Sequence, residues 1–222
     1  MKLRHDLLIV WLVLSLDKIE SDGQSIQWDY YISKKTLKLT NSLISTTVGL
    51  GVFTNLTVLD LSHNKLTSIG EISFLSNLET LDLSYNQIHE LDGIQNLTKL
   101  TWLSLMSNTI QNAELLQKLI SLEYINLERN EIESPKSLGN LTNLLILSLG
   151  SNRIESIVGI EHLANLKILN LDSNQLSRLD NFQNLTKLES ADLSYNLIDT
   201  LVNLNNLINL KYFLTLRFYF EM

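Results

Sequence analysis

The sequence predicts a solenoid of the α/β class, with a parallel β-sheet on its concave side and 3₁₀ or irregular segments on its convex side. The first observation is an asparagine that recurs every 22 residues, as Asn64, Asn86, Asn108, Asn130, Asn152, Asn174 and Asn196. The second is that apolar residues keep fixed distances from it: five before, three before, two after and eleven after. A fixed period of this length indicates a chain built from stacked copies of one unit.

The segment before each asparagine is expected to be the strand. Leu59 and Leu61 stand in the pattern L-x-L, which has the period of two that is typical of a strand with one buried face. The same pattern recurs in the later repeats. Period and pattern together are those of the leucine-rich repeat, whose units span roughly 20–29 residues. Stacking such units gives a curved, horseshoe-like rod, in which the strands pair in parallel and their outward residues form a concave face.

The recurring asparagine lies where the chain must leave the strand. Its side-chain amide can donate and accept, so it can satisfy buried backbone groups of its own repeat and of the next one. We therefore expect the seven asparagines to form a structural ladder along the rod.

The return path follows each asparagine. Little of a 22-residue unit remains for a full helix after the strand and its turns, so 3₁₀ or irregular segments are expected there. Pro135, the single proline of the chain, lies on this path, where it removes no hydrogen bond from the sheet.

The repeats divide the chain into three parts. We expect one leucine-rich-repeat domain of about eight repeats over residues 37–212. Residues 1–36 form an apolar N-terminal segment, which is either a degenerate repeat or, over residues 1–23, a signal peptide. Its run from Leu7 to Leu16 is too short to cross a bilayer, which needs about 20 residues. After Leu210 the alternation is expected to slip by one residue, which leaves an uncapped aromatic tail over 213–222 that could self-associate.

Composition restricts the possible functions. The net charge is −7 and no basic patch is visible, which argues against a nucleic-acid binder. The chain has no cysteine, so disulfides, thiolate metal sites and a cysteine nucleophile are excluded. His63, His89 and His162 fall at different phases of the repeat, so they cannot converge on one site. We expect no enzyme activity, no cofactor and no metal site.

The outward positions of the strands are those six, four and two residues before each asparagine. A central band of apolar residues is expected there, flanked by acids and tyrosines towards both ends. An apolar, aromatic patch with a polar rim is typical of a protein interface, and Trp and Tyr are frequent hot spots. The alternative is drift of the repeats without a purpose. The partner-binding residues predicted in this way are Trp102, Met106, Tyr124, Glu128, Ile146, Ile168, Asp60, Asp82, Tyr85, Asp172, Asp192 and Tyr195.

Residues from about 37 to 210 resemble the leucine-rich-repeat regulatory subunits of protein phosphatase 1. The 22-residue period and the segments HELDGIQNLTKL (89–100) and LGSNRIESIVGIEHLANL (149–166) carry this resemblance. It implies an all-repeat scaffold in the cytoplasm or nucleus that binds the phosphatase catalytic subunit through its concave face.

The same repeat type is similar to that of bacterial internalins, which are secreted adhesins. This second resemblance implies a secreted or cell-surface adhesion or recognition protein. Four Asn-Leu-Thr sequons, at Asn55, Asn96, Asn140 and Asn184, would then be glycosylation sites. The repeat itself supplies Asn-Leu before each strand, so the sequons do not indicate a compartment.

Overall fold

The computed structural model describes residues 32–180, 182–202 and 204–215, and the hypotheses for residues 1–31 and for the tail from 216 lie outside this part. Within the described residues, nine parallel strands form one open sheet in chain order, which confirms the predicted leucine-rich-repeat horseshoe. The strands are β1 (Thr36–Lys38), β2 (Val58–Asp60), β3 (Thr80–Asp82), β4 (Trp102–Ser104), β5 (Tyr124–Asn126), β6 (Ile146–Ser148), β7 (Ile168–Asn170), β8 (Ser190–Asp192) and β9 (Tyr212–Leu214).

The convex side carries 3₁₀ helices, as the repeat length predicts. They span Leu50–Val52, Gly70–Phe74, Ile94–Asn96, Glu114–Lys118, Lys136–Asn140, Ile160–His162 and Phe182–Asn184. Pro135 directly precedes one of them with a φ of −84°, so the single proline lies outside the sheet, on the return path.

Every strand pairs with the next in the same register. Leu59 lies opposite Leu81, and Leu81 lies opposite Leu103, each pair being 22 residues apart. Because the register never changes, residues at one phase of the repeat form a straight row across the sheet. The apolar residues five and three before each asparagine point inward, and those of the repeats from β2 to β6 are fully buried. Burial of such a side chain contributes about 1.5–3 kcal/mol, so the stacked rows stabilise the rod.

The last strand extends the sheet past the boundary expected after residue 212. β9 pairs with β8 so that Phe213 lies opposite Ala191 and Leu214 lies opposite Asp192. The expected slip in alternation is therefore wrong: Phe213 takes the inward position, and Leu214 is half-exposed. A large ring fits here because Ala191 is small, and Phe213 packs edge-on against Phe182 with ring centroids 6.4 Å apart.

Buried asparagine amides join each repeat to its neighbour. Asn130 donates from Nδ2 to the carbonyls of Leu127, at 3.0 Å, and Leu105, at 2.9 Å, while its Oδ1 accepts the N–H of Ile110. The same three bonds recur at Asn64, Asn86, Asn108, Asn152, Asn174 and Asn196. The amide thus serves its own repeat and the preceding one, not the next one as expected.

A second ladder, which the sequence reasoning missed, lies three residues before the strands. Asn143 donates from Nδ2 to the carbonyl of Ile120 at 2.9 Å, and Asn165 does the same to Thr142. Equivalent side-chain bonds come from Asn55, Asn77, Ser121 and Asn209. These residues are exposed or half-exposed, so each bond competes with water and contributes less than a buried one.

The two ladders predict different costs for the same substitution. Asn130→Ala leaves the buried N–H of Ile110 without a partner, at about 1–3 kcal/mol, and removes one of the two amides that donate to each of the carbonyls of Leu105 and Leu127. We therefore expect the free energy of unfolding to fall by about 2–4 kcal/mol. Asn143→Ala, the matched change in the second ladder, should cost about 0.5–1.5 kcal/mol, because water replaces the lost partner. Urea unfolding followed by circular dichroism measures both. Equal losses would show that burial does not set the contribution of the asparagines.

Candidate functional site: the concave face

The strands place four apolar side chains next to one another on the concave face. Trp102, Tyr124, Ile146 and Ile168 occupy the row six before the asparagine, on consecutive strands β4 to β7. The rings of Trp102 and Tyr124 stack almost in parallel, with centroids 4.9 Å and planes 2° apart. Ile168 is 41% exposed. With Met106, which lies on the same repeat as Trp102 in the row two before the asparagine, these residues form the predicted central band.

Two carboxylates gather beside the central band around Gly150. Glu128 and Asp172 flank this glycine in the row two before the asparagine. A Cβ at position 150 would lie 2.1 Å from Asp172 Oδ1, so the missing side chain makes room for the acid. Glu128 reaches across the gap and accepts a hydrogen bond from Asn170 Nδ2 at 2.9 Å, two repeats away.

The aspartates near both ends of the face also have a structural role. Asp82 Oδ1 accepts the backbone N–H of Ser84 at 2.9 Å and its hydroxyl at 2.6 Å. Asp60 makes the same pair of bonds to Ser62, and Asp192 accepts the N–H of Ser194. These carboxylates fix the turn that ends the strand, in the manner of an Asx turn. The recurring Asp-Leu-Ser of the sequence is the pattern that could have predicted this structural role.

The residue before each asparagine forms a corner with left-handed backbone. Tyr85 has a φ of 55° and His63 a φ of 57°, and their rings stack with centroids 4.2 Å apart. Tyr195 takes the same conformation near the far end of the sheet and is 50% exposed. Sequence reasoning gave His63 no partner, because the constant register that sets these neighbours side by side was not applied to this row.

Of the twelve predicted residues, the structure brings seven together and separates the other five. The seven lie on four adjoining repeats and are Trp102, Met106, Tyr124, Glu128, Ile146, Ile168 and Asp172. Asp60, Asp82 and Tyr85 lie towards the first strand, while Asp192 and Tyr195 lie towards the last. Between β2 and β8, the three outward rows carry five carboxylates and no lysine or arginine, so all the charge on these rows is negative.

Other parts of the described chain show fewer features of a binding site than the concave face does. The hydrogen bond from Lys211 Nζ to Glu189, at 2.6 Å, lowers the pKa of the Glu189 carboxyl, but this exposed pair lies beside the sheet. A shallow polar depression of 660 Å³ lies on the return path against Gln117, Glu133 and Lys136. Within residues 32–180, 182–202 and 204–215, no three metal-binding side chains are grouped. In the same ranges, no helix has the length and apolar character needed to cross a membrane.

Comparison with known proteins places the chain among repeat proteins. A family model described as leucine rich repeat matches residues 54–110. The structure of internalin C2 from Listeria monocytogenes is 30% identical, with a TM-score of 0.78, over 82% of this chain and 80% of that one. No protein of curated function matches the sequence.

Two further structures are similar. An internalin, inlF, from the same bacterium has a TM-score of 0.73 over 94% of this chain and 68% of its own, but at 24% identity it supports the fold alone. The ectodomain of the Arabidopsis thaliana receptor kinase GASSHO1/SCHENGEN3, solved in complex with Casparian strip integrity factor 2, is 30% identical. It has a TM-score of 0.66 over 76% of this chain and 22% of its own.

Asp82 provides a test that separates its structural role from its charge. Asp82→Asn keeps the Oδ1 acceptor for Ser84 and removes the negative charge, so we expect a melting temperature close to that of the unmodified protein. Asp82→Ala removes the acceptor and should cost about 1 kcal/mol. Thermal unfolding at neutral pH measures both. If the two variants lost the same stability, the charge and not the acceptor would be the stabilising feature.

Proposed function

Because the chain belongs to the leucine-rich-repeat family, we propose that it is an interaction scaffold that recognises a partner protein on its concave face. The observation that carries this proposal is the central band, in which Trp102 stacks on Tyr124 and Ile146 and Ile168 continue the row. Each of these side chains leaves its strand on the solvent side, and none is fully buried. Stacked aromatics that are held rigidly lose little entropy when a partner covers them.

The charge of the face indicates the chemistry of the partner. Five carboxylates and no cation lie on the outward rows between β2 and β8. A partner with an apolar centre and basic side chains around it would match this arrangement, because like charges opposite one another are unfavourable in an interface. Glu128 and Asp172 lie close enough to the central band to contact the same partner, whereas Asp60, Asp82 and Tyr85 at one end and Asp192 and Tyr195 at the other would contact it at the rim.

We place this recognition outside the cell or at its surface. Internalin C2 supports this location, as does the receptor-kinase ectodomain. The comparisons give no specific support to the resemblance to phosphatase-1 regulators, or to a cytoplasmic or nuclear location. Both hypotheses use the concave face, so the identity of the partner decides between them.

The double variant Trp102→Ala/Tyr124→Ala tests the face. We expect the dissociation constant for the captured partner to rise about 30-fold or more, because two hot-spot truncations each cost at least about 1 kcal/mol. The partner is first identified by affinity capture and mass spectrometry. Purified phosphatase-1 catalytic subunit is the named probe for the intracellular hypothesis. The constants are then measured by isothermal titration calorimetry.

Phe74→Ala is the matched control, since it removes an aromatic that is 64% exposed on the convex side. It should leave the dissociation constant unchanged. Equal binding by the concave double variant and the unmodified protein, with both folded by circular dichroism, would contradict the proposed site. Tight binding of the phosphatase subunit would replace the extracellular hypothesis with the regulatory one.

A further inference from the structure

Three of the four sequons occupy one structural position on the convex side. Asn96, Asn140 and Asn184 are each the last residue of a 3₁₀ helix, at Ile94–Asn96, Lys136–Asn140 and Phe182–Asn184. They are separated by 44 residues, which is two repeats. They therefore lie in one row, on every second unit of the rod, and on the opposite side from the sheet.

The side chains of these sequons are accessible and unengaged. In each, the asparagine and the threonine are exposed, while the leucine between them is buried and anchors the segment. Across the described ranges, no side-chain hydrogen bond involves Asn96, Asn140 or Asn184, or the hydroxyls of Thr98, Thr142 and Thr186. An exposed amide next to an exposed hydroxyl is the arrangement in which a folded protein carries an N-linked sugar without losing an internal contact.

In the fourth sequon, the side chains of both the asparagine and the threonine make hydrogen bonds. Asn55 belongs to the second ladder and donates from Nδ2 to the carbonyl of Ile32 at 3.3 Å. The hydroxyl of Thr57 donates to the carbonyl of Lys35 at 3.3 Å. A sugar on Asn55 would compete with contacts to the preceding segment, whereas the other three sequons have no such contacts.

We propose that Asn96, Asn140 and Asn184 are acceptor sites for N-linked glycans and that Asn55 is not, an inference that rests on the secreted location proposed above. In the modification, the amide Nδ2 forms a bond to the anomeric carbon of a lipid-diphosphate-linked oligosaccharide. The bond from that carbon to the diphosphate oxygen breaks, the lipid diphosphate leaves, and Nδ2 loses one proton. The chain supplies the acceptor and the threonine hydroxyl.

The positions explain how glycans and partner recognition are compatible on one rod. Sites two repeats apart are about 10 Å from one another at the sheet, and farther apart on the convex side because the rod is curved. Each of the three acceptor asparagines therefore has a repeat of its own, with one repeat between it and the next acceptor. The central band on the concave side would remain open to a protein partner.

The test expresses the full chain of 222 residues behind an appended secretion leader in cultured animal cells. Intact mass is measured before and after treatment with peptide N-glycosidase. We expect three glycans, and each of Thr98→Ala, Thr142→Ala and Thr186→Ala should remove one. Thr57→Ala is the matched control and should remove none. Where secretion is poor, the same masses are read from chain translated in the presence of microsomes.

The outcomes separate this inference from the proposed function. A glycan on Asn55 overturns the exclusion of that site, and a missing glycan at any of the other three overturns its assignment. Enzymatic removal of the glycans should leave partner capture unchanged. If protein that carries all three glycans fails to capture the partner both before and after their removal, the result counts against the concave site only. In a parallel arm without the appended leader, an unmodified chain counts against the secreted location, while the first arm still decides the sites.

Discussion

The buried asparagine amides are the interaction on which the rest of this molecule depends. Each one accepts from and donates to the preceding repeat and also donates to its own, as Asn130 does with Ile110, Leu105 and Leu127. Six of the seven asparagines are buried and Asn86 is half-buried, so water does not readily replace these bonds. A shift of one repeat against the next would therefore leave several groups unpaired at once. The constant 22-residue register follows, and with it the straight rows of the concave face.

The ladder has a conformational cost at the residue before each asparagine. Seven such residues, from His63 to Tyr195, have a φ between 53° and 57°. For residues other than glycine, this left-handed conformation costs roughly 1–2 kcal/mol each. The chain accepts it because the corner turns the asparagine side chain back into the rod. The same corner holds its own side chain at the edge of the concave face, where His63 and Tyr85 meet.

The features that the sequence predicts well are those carried by one residue type at one phase. Leucines, asparagines and the short return path fall in this class. The second ladder escaped detection because its position is shared by Asn143, Ser121 and Lys99, which reach the neighbouring repeat in different ways. The hydrogen bond between Glu128 and Asn170 depends on the space left by Gly150, which has no side chain. A repeat pattern of residue types does not predict such a space. Phe213 stands where most other repeats have leucine, so an alternation of leucines alone assigns the inward positions of the last strand to the wrong residues.

The rows of the concave face differ in how freely they can vary. The row four before the asparagine holds only Asp, Asn or Ser in the seven repeats from β2 to β8. In five of them its oxygen accepts the N–H two residues later, so an aromatic here would remove a bond that ends the strand. The row six before the asparagine carries no such bond from its side chains in these seven repeats. It can therefore hold Trp102 and Tyr124 at no cost to the turn, which is why the apolar centre of the proposed binding surface lies in that row. Three of the five carboxylates, Asp60, Asp82 and Asp192, lie in the row four before the asparagine, where the turn itself favours a side-chain acceptor.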